Sequence, residues 1–416
     1  MTDARVLFVD GEAYPLDVDR AGDDAVAVPR DAGRSMARRI AVFIEQAAAA
    51  VLASRPFAVN VELSAGTRSE LLERDIAVVF PTSGSSGSPK WVLQSQEAMR
   101  YQATETARRM QISSQRWAFS LPATHAYGFS GVNMWARSGG ELHWYQPGHL
   151  RVLLAGISER RFDSLDTGAS TWRHIWRHAR DDRALLDGVR ALHVRGVGGQ
   201  MLAASLATRF DEIGAPLHDG YGLSEAGPNV AINTGLGYRA GTVGRPLDGT
   251  AVLVDDEGQL RIKSPSVSSL LLVDGEVVTN AAVDSGGWLR TGDLGRTRDG
   301  YVVIEGRRST AVHQHGEKIA VESLEHQLED GLAGGAAVYL ARVGSDDTGD
   351  RIVAAVFGSS MRADEFLDIV RQNRAHLPRP FFVQGVRWFE TGETPLTPTG
   401  KVDRKGLSRL IERSES

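Results

Sequence analysis

Cysteine is absent from all 416 residues. That removes disulfides, thiolate nucleophiles and cysteine-ligated zinc together, and it fits a reducing compartment. No run of about 18 apolar residues occurs, so no helical membrane span is expected. The opening MTDARVLFVDGEAYPLD interrupts its apolar stretches with charges and does not read as a signal peptide, which makes a cytoplasmic location the expectation. A charge excess is missing too. The chain carries 47 basic and 52 acidic side chains for a net charge of −5, with no basic patch or aromatic interleaving to support nucleic-acid binding. Internal repeats and low-complexity linkers are also lacking. What remains is 42% hydrophobic and 24% charged residues, the composition of a folded chain long enough for two or three domains of about 150 residues each.

The apolar pattern gives an outline. Asp10-Gly11 stands between two short apolar runs, a hairpin signal. From Ala32 to about Ser54, apolar residues including Met36, Ile40, Phe43, Ile44, Ala47 and Val51 recur at helical spacing. Ile76 to Phe80 reads as a strand that enters a loop of small residues, with a helix from about Gln96: strand, loop, helix. Trp117 to Leu121 and Ala191 to Val194 read as strands and Met201 to Phe210 as a helix, so a layered α/β body is expected. Beyond residue 240, Thr250 to Val254, Gln259 to Lys263, Leu270 to Val273 and Tyr301 to Ile304 are short segments parted by glycine turns, the pattern of an antiparallel β edge. After Gly306 come a helix at Val321 to Leu328, a strand at Ile352 to Phe357, a helix at Ala363 to His376 and a strand at Val383 to Phe389. The expected division is a large α/β domain over 1–306 and a small, mobile α+β domain over 307–416.

The most informative stretch is Pro81-Thr-Ser-Gly-Ser-Ser-Gly-Ser-Pro-Lys90. Glycine lets backbone amides approach oxyanions, hydroxyls add donors, and Lys90 adds charge, so the loop suits a polyphosphate as well as it suits a flexible turn. It is no Walker loop, because Gly84, Gly87 and Lys90 are three apart and Pro89 precedes the lysine. Four more segments follow in order: Tyr221-Gly-Leu-Ser-Glu225, Arg290-Thr-Gly-Asp-Leu294, Gly306-Arg307 and Leu396-Thr-Pro-Thr-Gly-Lys401. Together with the Ser/Gly loop they resemble the adenylate-forming superfamily of acyl-CoA synthetases, peptide-synthetase adenylation domains and luciferases.

That resemblance implies attack of a carboxylate on the α-phosphate of ATP, giving an acyl-adenylate and pyrophosphate, and then transfer of the acyl group to a phosphopantetheine thiol. By the same resemblance, Thr82, Ser83, Gly84, Ser85, Ser86, Gly87 and Lys90 would cradle the phosphates. Gly198, Gly199, Asp219, Tyr221, Gly222 and Ser224 would surround the nucleotide, with Tyr221 against adenine and Glu225 on Mg²⁺. Asp293 would accept from the ribose hydroxyls, Arg307 would donate to ribose or phosphate, and Lys401 would bridge carboxylate and α-phosphate. Each residue also has a bland reading: Tyr221 a core aromatic, Asp293 a turn residue, Lys401 a solvated charge. His125 and Gly128 resemble the family's His-x-x-Gly element, where His125 joins Thr82, Glu225 and Lys401 among the residues at the chemistry. Tyr127, Phe129, Val197, Gly198 and Leu223 would wall the acyl pocket. No acid occurs between Arg116 and Gly140 to pair with an α-ammonium, so an amino acid is disfavoured and a small aromatic acid such as a hydroxybenzoate favoured.

Only 80 residues precede the Ser/Gly loop, fewer than in typical members. The shortening resembles compact aryl-activating ligases, and it leaves a homodimer as one way to cover exposed apolar surface. The hinge after Gly306-Arg307, usually Asp or Lys, is Ser309 here, and Gly316 would line the thiol tunnel. The expected acceptor is a separate acyl carrier protein, with CoA the alternative; a degenerate nucleotide or acyl-adenylate sensor is the alternative of another class. His313 with His315, and His174 with His178, invite a metal reading that lacks a third ligand. Gly128-Phe-Ser-Gly131 lacks the spacing of a nucleophile elbow.

Overall fold

The computed structural model describes residues 5–14, 36–59, 61, 63–81, 90–112, 116–146, 148–314, 317–329, 332, 336–346, 349–359, 361–372, 383–395 and 402–415. Among them, nine strands form one sheet in the order Arg245–Pro246, Asn229–Ile232, His218–Gly222, Val194–Gly198, Ser164–Thr167, Arg116–Ser120, Gly140–Trp144, Arg5–Val9, Glu12–Tyr14. From His218–Gly222 through to Arg5–Val9 neighbours run parallel, and the flanking strands are antiparallel. The Asp10-Gly11 hairpin forms as read, with φ of 50° and 84° at its two turn residues.

Parallel strands covered by helices on both faces alternate core residues to either side. Trp117, Phe119, Leu142 and Trp144 point inward, where Phe43 of the helix Met36–Leu52 and Phe129, Val132 and Trp135 of the helix Ala126–Ser138 meet them. Across that helical layer lies a second sheet, Phe57–Ala58, Ile76–Pro81, Lys90–Ser95, Leu270–Val273 and Glu276–Thr279. Leu165, Val197 and Leu217 point to the opposite face and pack with Trp172, Ile175, Val189, Leu206 and Phe210. The glycines of the inner helix have a packing cause: a Cβ at Gly128 would lie 2.3 Å from the Pro122 carbonyl and one at Gly131 would lie 2.3 Å from the Phe119 ring.

The later strands are antiparallel as expected. Ala251–Val254, Gln259–Lys263, Leu289–Arg298 and Tyr301–Arg307 form one sheet, and the segment Leu270–Thr279 joins the second sheet instead. Val312–Gln314, Glu317–Ile319, Ala337–Asp346, Gly349–Phe357 and Gly385–Phe389 form a further sheet against the helices Val321–Glu329 and Ala363–Gln372. Two sequence readings need correction. The segment Lys90–Ser95 is a strand paired with Ile76–Pro81 before the helix starts at Gln96, so the motif is strand, loop, strand, helix. The strand read at Ala191 to Val194 begins at Val194 and runs to Gly198, because Ala191 closes the preceding helix.

Candidate active site

Tyr221 stands on the strand His218–Gly222, directly after Gly220, which pairs with Gly198 of the neighbouring strand. Its hydroxyl donates to Asp293 Oδ2 at 2.7 Å. Arg307 Nε donates to Asp293 Oδ1 at 2.8 Å, since Asp293 and Arg307 are cross-strand partners of the antiparallel sheet. Asp293 is 4% exposed, while the Arg307 side chain keeps 53% of its surface and remains open to a ligand. Burial holds the Tyr221 hydroxyl well above its ordinary range, with the Asp293 charge adding to it, so Tyr221 stays a donor. The Asp293 charge does the same for the Arg307 guanidinium, and Glu225 contributes to that field.

Glu225 and Ser224 sit in a short turn, Ser224–Ala226, held from behind by two glutamines absent from the sequence-derived site. Gln94 Nε2 donates to the Ser224 carbonyl at 2.9 Å. Gln102 Nε2 donates to Asn229 O and Ser266 Oγ while its Oε1 accepts from Asn229 N. Their signal was a polar residue on an apolar face: Gln102 shares its buried stripe with Ala98, Met99, Ala103 and Thr106. Gly222 is obligatory, because a Cβ there would stand 1.6 Å from the Pro228 carbonyl.

A second cluster lies on the same sheet, with the strand Val194–Gly198 between its aspartate and the strand of Tyr221. Tyr127, in the first turn of the helix capped by His125, donates its hydroxyl to Asp166 Oδ1 at 2.9 Å. Asp166 is aligned with Phe119 and Gly196 and so faces the inner helices. It is 3% exposed, and burial pushes its carboxyl up to about 6 against the lowering effect of the Tyr127 bond. The Arg116 to Gly140 segment holds no acid, and the sheet register brings one, Asp166, to Tyr127 from outside it. Gly198 lies under the Tyr127 ring, where a Cβ would come within 3.1 Å. Gly199 adopts φ 78°. Asp219 is partly withdrawn from water, which pushes its carboxyl up to about 8.

Two expected pocket walls belong to the core. Phe129 is fully buried between Phe57 and Phe80, with ring centroids 5.8 and 5.0 Å away. Val197 points to the outer face among Leu165, Leu206 and Phe210. Leu223 is half-buried beside Tyr221. Lys90 opens its strand opposite Val273 and is half-buried. Ser309 lies in an exposed turn after Arg307, where Arg308 N donates to the Gly292 carbonyl at 2.8 Å. Thr82, Ser83, Gly84, Ser85, Ser86, Gly87, His315, Gly316 and Lys401 lie outside the described residues. His178 Nδ1 is 2.9 Å from the carbonyl of His174, a contact within one helix. No described helix is long and apolar enough to cross a membrane.

A model of AMP-binding enzymes matches residues 2–281. Long-chain-fatty-acid–CoA ligase FadD15 of Mycobacterium bovis is 36% identical over 133 residues, 32% of this chain and 22% of that protein. Salicylyl-CoA synthase / salicylate adenylyltransferase of a Streptomyces species is 26% identical over 363 residues, 81% of this chain and 63% of that one. The chain thus spans less than two thirds of either relative. In fold, it is similar to o-succinylbenzoate CoA synthetase (MenE) of Bacillus subtilis in complex with its acyl-adenylate intermediate, with a TM-score of 0.75 at 19% identity over 97% of this chain and 95% of the other.

Proposed function

Because the chain belongs to the AMP-binding enzyme family, we infer that it activates a carboxylic acid with ATP to an acyl-adenylate and then passes the acyl group to a thiol. The Tyr221–Asp293–Arg307 constellation carries this reading. Asp293 is buried, acceptor-only when ionised and held at both oxygens, with lone pairs left for two ribose hydroxyls. Arg307, bonded through Nε, keeps its terminal nitrogens for ribose or phosphate. Glu225 supplies one hard oxygen for Mg²⁺, an ion that takes one or two carboxylates and fills its remaining positions with phosphate and water. Magnesium there would neutralise charge on the phosphates.

The Ser/Gly loop with Lys90 would hold the leaving pyrophosphate, and Lys401 would steady the charge between carboxylate and α-phosphate. The substrate reading is a small aromatic acid of the hydroxybenzoate kind, supported by the relative named for salicylate. A phosphopantetheinylated carrier protein is the acceptor we favour. CoA is the second reading, supported by the CoA ligase and synthase names of the relatives. Residues 307–416 would turn about Ser309 between the two half-reactions.

Acid-dependent ATP–pyrophosphate exchange across benzoates, cinnamates, fatty acids and amino acids tests the first step. Thioester formation with CoA or with a holo-carrier protein tests the second. Exchange with at least one acid is expected; ATP binding without exchange for any acid would move the sensor reading ahead.

A further inference from the structure

Asp166 is a buried acid with an incomplete set of partners. Tyr127 satisfies Oδ1 at 2.9 Å, but among the described residues nothing donates to Oδ2 and no basic side chain pairs with the carboxylate. Withdrawing a carboxylate from water without a cation is costly, and proteins keep such groups where a ligand or a reaction uses them. Glycines make room for the pair: the carboxylate of Asp166 fills the place beside Gly196 and the Tyr127 ring lies over Gly198. Gly196, Gly198 and Gly220 lie on the face that Asp166 shares. A Cβ at Gly196 would meet Asp166 Oδ1 at 2.1 Å, so any side chain there would displace the carboxylate. At Gly220 a Cβ would have ordinary room, 3.6 Å from its nearest neighbour. Gly220, the partner of Gly198, is the residue before Tyr221, so the strand that carries Tyr221 also borders the face of Asp166.

We propose that Tyr127 and Asp166 form a polar subsite that selects carboxylic acids carrying a hydrogen-bond donor, a hydroxyl or an amine, at the end remote from the reacting carboxylate. This rests on the acid-activation reading and names its substrate class. Tyr127 holds Oδ1, and Oδ2 accepts the donor. A site whose polar group is left unpaired by a hydrocarbon substrate discriminates strongly against it, whereas an apolar pocket cannot strongly reject an added hydroxyl. With Asp166 ionised, a hydroxyl or a neutral amine makes a charge-assisted bond, and the protonated amine of 6-aminohexanoate adds an ion pair.

The experiment is ATP–pyrophosphate exchange with matched acids: benzoate against the three hydroxybenzoates and three aminobenzoates, and hexanoate against 6-hydroxy- and 6-aminohexanoate. The wild-type enzyme is expected to favour at least one donor-bearing member over its hydrocarbon match by tenfold or more in kcat/KM. Asp166→Leu should erase that ratio or invert it. Asp166→Asn keeps the shape and the Tyr127 bond, so it serves if the leucine variant does not fold; it should lower the preference for amine over hydroxyl severalfold. The ratio between matched acids is the readout, since a merely structural role would change all rates together. Exchange without donor preference, or a preference unchanged in both variants, overturns the subsite alone. ATP binding with no exchange for any acid overturns the acid-activation reading and the subsite with it.

Discussion

Asp293 and Asp166 are two buried aspartates, each receiving a tyrosine hydroxyl from a neighbouring element, and they differ in one partner. Asp293 takes Tyr221 at one oxygen and Arg307 at the other, whereas Asp166 takes Tyr127 and, among the described residues, no cation. The first is a complete unit that positions an acceptor. The second is incomplete, and burial holds its carboxyl up at about 6. Glu325 marks the limiting case: 4% exposed, it accepts from Arg404 at both oxygens, with Nη2 to Oε2 at 2.7 Å, and from Leu340 N at 2.6 Å. Glu325 has its acceptor capacity used by Arg404 and Leu340, whereas Asp166 has one donor among the described residues.

Breaking the closed pair has the largest expected effect. Glu325→Gln breaks the bidentate pair and leaves Arg404 with Glu322 alone among the described residues, at 3.8 Å, and should cost about 3 kcal/mol of unfolding free energy, the low end for a broken buried pair, measured by urea titration. Arg404 opens the helix Arg404–Glu415, which begins just after Lys401, and Asp403 N donates to Pro395 O at 2.8 Å, so the damage should extend to the first half-reaction.

The open site gives a pH signature. Asp166 titrates near 6 when folded against an ordinary 3.8. The folded protein therefore keeps a proton between roughly pH 4 and 6 that the unfolded chain has released, and stability falls as pH rises through that window. Asp166→Asn removes this slope. Its stability relative to wild type should climb by up to about 3 kcal/mol from pH 4 to 6.5 and then level off. His218, held down at about 3 by burial, contributes an opposite slope common to both proteins, which cancels in the difference. A flat difference would place Asp166 among ordinary carboxylates.

Asp293→Asn replaces the carboxylate with a neutral amide and takes the counter-charge from Arg307. Loss of its charge-assisted bond should weaken ATP by about 1.5–3 kcal/mol, read as a rise of about tenfold to a hundredfold in the ATP KM of exchange. Tyr127→Phe is the smallest change, about 1 kcal/mol. Because the Tyr127 bond lowers the Asp166 carboxyl, its removal should also move the stability window to higher pH.

Much of the nucleotide half was legible because its residues lie in short contiguous segments. Tyr221 to Glu225 and Arg290 to Leu294 each combine a strand end with the residues it presents, and the structure brings Tyr221, Asp293 and Arg307 into one bonded unit. The acyl side was less legible. Asp166 lies 39 residues from Tyr127, and the two intervening elements, Gly140–Trp144 and Leu150–Ser158, hide a contact that parallel register creates. Phe129 and Val197 looked like pocket walls because apolar residues beside a motif do not reveal which face they take. Lys90–Ser95 was read as loop because its Lys-Trp-Val-Leu-Gln-Ser alternation is short and adjoins a Ser/Gly stretch.

The most direct test of the chemistry follows oxygen. With the best acid from the exchange panel, labelled with ¹⁸O in its carboxylate, the AMP formed on thioester synthesis should carry one labelled oxygen, because attack on the α-phosphate leaves a carboxylate oxygen there. Unlabelled AMP, or ADP in its place, would contradict an acyl-adenylate intermediate.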